Sequence, residues 1–431
     1  MKALHLAHHG LDALRMAGAH KATCSVSHGE QHELTANVGK ISLMRTTYET
    51  AVGMSAIIDG RRGAASANKT SQSDLERLAR ETVDITQASP PDPAYDIAER
   101  QEPATFERGP HSPNRDLMFS RFQEFLDTSR RRYPSAIVEE AVLEFSHGTS
   151  HIVNTNGVEF SITAGLYGFQ AMFTAKDGTR TSSFNGASFS SLDLDRPLIE
   201  VASVDRLLRE SCEQLDPLPI PDAFVGDLIL TPDTLAGFIR YFAGVFLRDG
   251  AIIAGTSRLK DKINQPVAAP CLTVRDLPLA PELAVNHFVT ADGFLAKDQT
   301  IIDRGVLRTF LLSLYGSRKT GCPRSVSDGT SYVVDAGDIE YRDLLGSVER
   351  GIVLGRFSGG SPGESGDLSG VAKNSYYVEH GEVRHPVTET MVSSNLIDLF
   401  ENIAAVSAER IDFGSTILPW VRCRGVTISG K

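Results

Sequence analysis

Three stretches carry residue types that could do chemistry, and each fails on spacing or local structure. His32-Glu33 begins like the HExxH of zinc metalloproteases, where two histidines hold the metal and the glutamate takes a proton from bound water. The second histidine would stand at position 36, which is Ala36, and the segment alternates as a strand does. Gly359-Gly360-Ser361-Pro362-Gly363 fits the GxSxG of serine hydrolases, with His380 and His385 downstream. That motif draws an oxyanion-hole donor from the N–H after the serine, and Pro362 has none. The surrounding GRFSGGSPGESGDLSG also lacks the Gly-Lys-Ser/Thr ending of a phosphate loop, so it reads as a surface loop. His380 and His385 lie in YYVEHGEVRHPV, which predicts a hairpin turning at His380-Gly381 and offers no third metal ligand of predictable position.

Composition narrows the classes further. The chain has 431 residues, enough for two or three domains with a sizeable core. Its 43 Lys and Arg against 54 Asp and Glu give a net charge of −11, which disfavours direct contact with nucleic acid. Five cysteines, Cys24, Cys212, Cys271, Cys322 and Cys423, are far apart and odd in number, which suggests neither a zinc knuckle nor a disulfide framework and points to a reducing, cytoplasmic setting. The first residues read as an amphipathic helix on Leu4, Ala7, Leu11 and Leu14 and not as a signal peptide. The most apolar stretch, 228–254, carries too many charges for a membrane span.

The elements that must position any site follow from period and punctuation. Strands are expected over 22–28, 33–44 and 50–59, with turns at Gly29 and Asp59-Gly60, followed by a helix capped by Ser73 and Glu76. This N-terminal α+β unit spans 1–87. Residues 88–113 hold six of the 20 prolines and read as an extended linker or surface crossing. A central α+β segment, 114–221, opens with a helix ending in Arg130, Arg131 and Arg132, whose cations suit a helix C-terminus. Strands follow on either side of the Asn156-Gly157 turn, then a helix on Val204, Leu207, Leu208 and Cys212. The C-terminal domain, 222–431, is predicted to be β-rich and barrel-like around one buried helix, with a further helix over 396–407. That buried helix has clear grammar: Thr231 as N-cap, Pro232 at the first helical position, Asp233 in the positive first turn, and Leu235, Phe238, Ile239, Phe242, Val245 and Phe246 on one face.

From Val225 onward the chain reads, in order, LILTPDTLAGFIRYFAGVF, GTSRLKDKINQPVAAPCLTVRDLP, TIIDRGVLRTFLLSLYGSRKTG, SYYVEHGEVRHPV with SSNLIDLFENI, and TILPWVRCRGVTISG. In these segments it resembles the TldD/PmbA family, once called modulators of DNA gyrase and better described as peptidase subunits. The N-terminal hairpins with RRGAASAN also resemble the family, whereas 88–220 contributes little.

What the resemblance implies depends on the branch. TldD-type subunits carry HExxxH on the helix of the C-terminal half and a cysteine in a GxCGK-like segment near the end, which together bind a catalytic zinc. Here Asp233, Thr234 and Phe238 occupy the positions of the HExxxH residues, and Gly414-Ser415-Thr416 stands where the GxCGK-like segment would be, with Cys423 beyond it. The chain therefore resembles the PmbA/TldE branch. The expectation is a subunit with no catalytic residues and no cofactor of its own, zinc residing only in a TldD-type partner that cuts unfolded peptides. A homodimer is expected where that partner is missing. Two other readings stay open: a peptidase active by itself through an unrecognised site, and a protein-interaction modulator of the gyrase type.

Overall fold

The computed structural model describes residues 2–430. Two mixed sheets organise it. The first is built from long hairpins: α1 (Lys2–Met16) leads into β1 (Lys21–Asn37), β2 (Lys40–Ile58) and β3 (Arg61–Ala67), followed by α2 (Gln72–Ala88) and β4 (Ala104–Arg108). Next come α3 (Arg115–Arg132), β5 (Ala136–Asn154), β6 (Glu159–Asp177), β7 (Arg180–Thr181), β8 (Asn185–Ser191) and α4 (Val204–Glu213). The order is β3-β2-β1-β5-β6-β4, with β7 and β8 also pairing β6. The segments 1–87 and 114–221 thus share one sheet through the long β1–β5 pairing, from Thr23↔Asn154 to Asn37↔Glu140.

Several local expectations are corrected. Gly29 is no turn: β1 runs through it, and the chain reverses at Val38-Gly39, both at positive φ. Gly29 lies opposite Gly148 of β5, where a Cβ on Gly148 would come within 3.3 Å of the His28 carbonyl, so the pair permits a close approach of two strands. The α2 cap is Ser71, whose Oγ accepts from Asp74 N at 3.2 Å, and not Ser73 with Glu76. The proline-rich crossing is pinned down: β4 pairs parallel to β6, Asp92 takes hydrogen bonds from Tyr315 and Lys319, and Asp96 pairs with Lys21 and Arg318.

The second sheet contains β9 (Phe224–Leu230), flanked by strand 417–429 antiparallel on one side and strand 350–354 parallel on the other. Among the described residues its strand order does not close into a barrel. α5 (Pro232–Phe246) follows β9 directly and buries Leu235, Phe238, Ile239, Phe242 and Phe246 in the largest apolar cluster of the molecule, where Phe242 stacks on Phe400 at 4.6 Å. The expected helix over 396–407 ends at Glu401, because Ile403 to Asp412 pair as a strand with 417–423. No helix among the described residues is long and apolar enough to cross a membrane.

Candidate functional site

The N-terminus of α5 is where the two halves meet. Thr231 caps the helix, its Oγ1 accepting from Thr234 N at 3.4 Å and donating to the Leu354 carbonyl at 3.2 Å, so the cap is tied to the neighbouring strand 350–354. Asp233 turns toward α4 of the first half. Its Oδ2 accepts from Ser203 Oγ at 3.1 Å and from Arg206 Nη2, while Arg206 Nη1 reaches both oxygens of Glu210 at 3.0 Å. Arg206 also lies over the Trp420 ring, 5.9 Å from its centroid. Burial opposes charge on Arg206, but the two carboxylates outweigh it and hold the guanidinium above its ordinary range. Burial pushes the Glu210 carboxyl up, with Arg206 opposing.

A cleft of about 430 Å³ opens beside this junction. One wall is α5, through Asp233, Ala236 and Arg240, and another is the loop after strand 403–412, through Phe413, Ser415 and Thr416. The first sheet closes it with Glu144 of β5, Gln170 of β6 and Gly186, Ser188 and Ser190 of β8. The loop is stitched to β8 by Ser190 N donating to the Phe413 carbonyl at 3.0 Å. Gly414 makes that approach possible, since a Cβ there would lie 1.9 Å from the Ser190 carbonyl oxygen and its φ is +80°.

The fold thus brings to one cleft the two segments that family resemblance singles out, the start of α5 and Ser415-Thr416. It does not give them metal-binding chemistry. Asp233 is committed to Arg206 and Ser203, Thr234 Oγ1 donates to the Thr231 carbonyl at 3.0 Å, and Phe238 is 1% exposed with its ring against Phe357 and Tyr241. Cys423 is buried in the central strand, its thiol pushed well up by burial. Among the described residues no three His, Cys, Asp or Glu side chains are grouped to hold a metal ion, and this donor set does not fit zinc.

The other motif residues lie elsewhere. His32 sits in β1, bonded through Nδ1 to Thr46 Oγ1 at 3.0 Å. Ser361 is in the exposed loop between strands 356–359 and 367–373, and His380 turns the expected hairpin, its Nδ1 2.7 Å from Glu349. Sequence reasoning missed Arg206 and Arg240. Arg240, seven residues after Asp233, interrupts an otherwise apolar run, and that was the available signal.

Comparison with known proteins supplies the class. Residues 225–430 match the family model of the PmbA/TldA metallopeptidase C-terminal domain. The Escherichia coli O157:H7 metalloprotease PmbA is 23% identical over 94% of this chain and 92% of its own, and a Haemophilus influenzae PmbA homolog is 23% identical over 91% and 89%. The fold matches that of TldE from Thermococcus kodakarensis with a TM-score of 0.82 at 17% identity, covering 97% of this chain and 99% of that one. It also matches a Bacteroides thetaiotaomicron protein solved as a candidate modulator of DNA gyrase, with a TM-score of 0.87 at 21% identity over 99% and 98%. Residues 225–430 thus carry the PmbA/TldA metallopeptidase C-terminal domain, and nearly the whole chain is similar to PmbA metalloproteases.

Proposed function

We propose that this chain is the non-catalytic, PmbA/TldE-like subunit of a peptidase, which shapes a chamber and holds unfolded peptide while a TldD-type partner supplies the zinc and the hydrolytic chemistry. One observation carries the reading: the side chains at the HExxxH positions are spent on structure, Asp233 in an ion pair with Arg206 and Phe238 in the core.

The chain's own residues are suited to holding peptide. β8 pairs β6 on one side; on the other, Ser190 N is taken by the Phe413 carbonyl, and Gly186 and Ser188 face the cleft beside α5. An extended peptide can add to such an edge through main-chain hydrogen bonds with little demand on its side chains. Assembly has a candidate surface too. β3 pairs only Val52–Ile58 of β2, which leaves the outer stretch of β2 a free edge bearing Met44 (73% exposed) and Tyr48 (76%).

The test is reconstitution. Mixing the purified chain with a TldD-type protein from the same source should give a complex that cleaves an unstructured peptide, with one zinc per heteromer and none in this chain alone. Stoichiometric zinc in the isolated chain, together with cleavage by it alone, would instead favour an independent peptidase.

A further inference from the structure

On the other flank of α5 a second cavity of about 350 Å³ opens, and its wall holds two cations with no carboxylate partner among the described residues. Arg240 lies on the outer stripe of α5 and makes no hydrogen bond or ion pair with a described residue. Arg356 stacks on Phe184, its guanidinium carbon 4.1 Å from the ring centroid, and donates from Nη2 to Ser183 Oγ at 2.8 Å. Its Nε is buried without a partner. Asn185, 3% exposed, lines the same wall; its Oδ1 accepts from Gly186 N at 3.0 Å while its Nδ2 is a buried donor with no partner among the described residues. The single carboxylate at this wall, Asp233, is already matched by Arg206 and Ser203.

The cavity therefore presents two guanidinium groups and an unused amide donor, with Phe184, Tyr241 and Phe357 as apolar walls and no free acceptor of matching charge. Guanidinium groups pair best with planar oxyanions that take two parallel N–H bonds, and partial burial strengthens that pairing. Burial also disfavours an unpaired charge on Arg356, so an incoming anion would relieve a standing cost.

We propose that this cavity binds a carboxylate, held by Arg240, Arg356 and Asn185 Nδ2, as the anchor of an extended peptide lying along β8. Asn185 and Gly186 begin β8, so a chain paired to that edge reaches the cavity at one end. The carboxylate chemistry stands on the cavity residues alone; that its bearer is a peptide rests on the function proposed above. A peptide C-terminus and an acidic side chain offer the same group.

The experiment uses the full chain without partner or metal, titrated calorimetrically with acetyl-tetraalanine as free acid, its C-terminal amide, and the amide of acetyl-Ala-Glu-Ala-Ala. At least one carboxylate-bearing peptide should bind about tenfold or more tighter than the neutral amide, the size expected of one charge-assisted pairing. Tighter binding of the free acid identifies the terminus as the source, and tighter binding of the Glu-bearing amide identifies the side chain. Arg240→Gln, at an exposed position that folding does not need, should remove most of the preference. Arg356→Lys, which keeps the charge and loses the fork, should weaken it. Equal binding of acid and amide, absence of measurable binding of every peptide, or a preference untouched by Arg240→Gln would overturn the proposal. Because neither partner nor zinc takes part, such a failure leaves the subunit assignment standing, and failed reconstitution leaves this titration readable.

Discussion

Asp233 and Arg206 form an ion pair that joins the first turn of α5 to α4, so a carboxylate at a position that the resemblance aligns with HExxxH serves here as counter-ion to the other half of the molecule. Glu210 completes the group from the same helix as Arg206. A guanidinium buried between two carboxylates is costly to strip of either partner, which makes this junction a structural fastening.

Asp233→Ala should consequently cost more than the ~0.5 kcal/mol that a helix-dipole interaction alone supplies. The lost charge-assisted bonds raise the expected destabilisation to about 2 kcal/mol. Arg206→Met, which leaves Asp233 and Glu210 facing each other unpaired, should cost about 3–5 kcal/mol. Urea unfolding of the two variants, read as a shift in midpoint at constant slope, checks the order.

Phe238→Asp should abolish folding and assembly together. The ring is 1% exposed against Phe357 and Tyr241, and an unpaired carboxylate placed there costs several kcal/mol, roughly 3 or more, through desolvation. Soluble yield and the thermal transition report it, and Phe238→Leu should retain both with a smaller loss.

Gly414→Ala tests how the cleft wall is held. The methyl would fall 1.9 Å from the Ser190 carbonyl at a φ of +80°, so the loop must part from β8. A loss of about 1–3 kcal/mol is expected from backbone strain. Amide exchange at Ser190, whose N–H is bound to Phe413, should accelerate selectively.

The proline-rich crossing predicts an acid-sensitive contact. Hydrogen bonding from Lys319, with further bonds from Ala94 N and Tyr315, holds the Asp92 carboxyl down at about 2. A folded value below the unfolded one means the stabilisation is complete above the ordinary aspartate range and is lost as pH falls toward about 2. The difference in melting temperature between wild type and Asp92→Asn should be positive near neutrality, shrink below about pH 4, and be mostly lost by about pH 2.

Much of the fold was legible because its signals are local. Thr231, Pro232 and Asp233 announce the start of α5 within three residues, and the His380-Gly381 and Asp59-Gly60 turns stand where expected, with both residues of each at the positive φ that a tight hairpin needs. The errors arose where distant chain decides. Gly29 looked like a turn because its partner, Gly148, lies in another hairpin, and the apolar run after Glu401 fits helix or strand until strand 417–429 pairs with it. The site was half legible for the same reason. Asp233 and Ser415-Thr416 were marked by resemblance, whereas Arg356 and Asn185 are unremarkable until folding places them with Arg240 around one cavity.

Where the chemistry resides is tested most directly in the assembled heteromer, by comparing Asp233→Ala in this chain with replacement of the glutamate in the partner's HExxxH, both assayed on an unstructured peptide. That glutamate is the expected proton acceptor for zinc-bound water, so its loss should abolish cleavage while assembly persists, and the Asp233→Ala heteromer should retain most of its activity. A dead Asp233→Ala heteromer beside an active partner variant would contradict the assignment of this chain as the non-catalytic subunit.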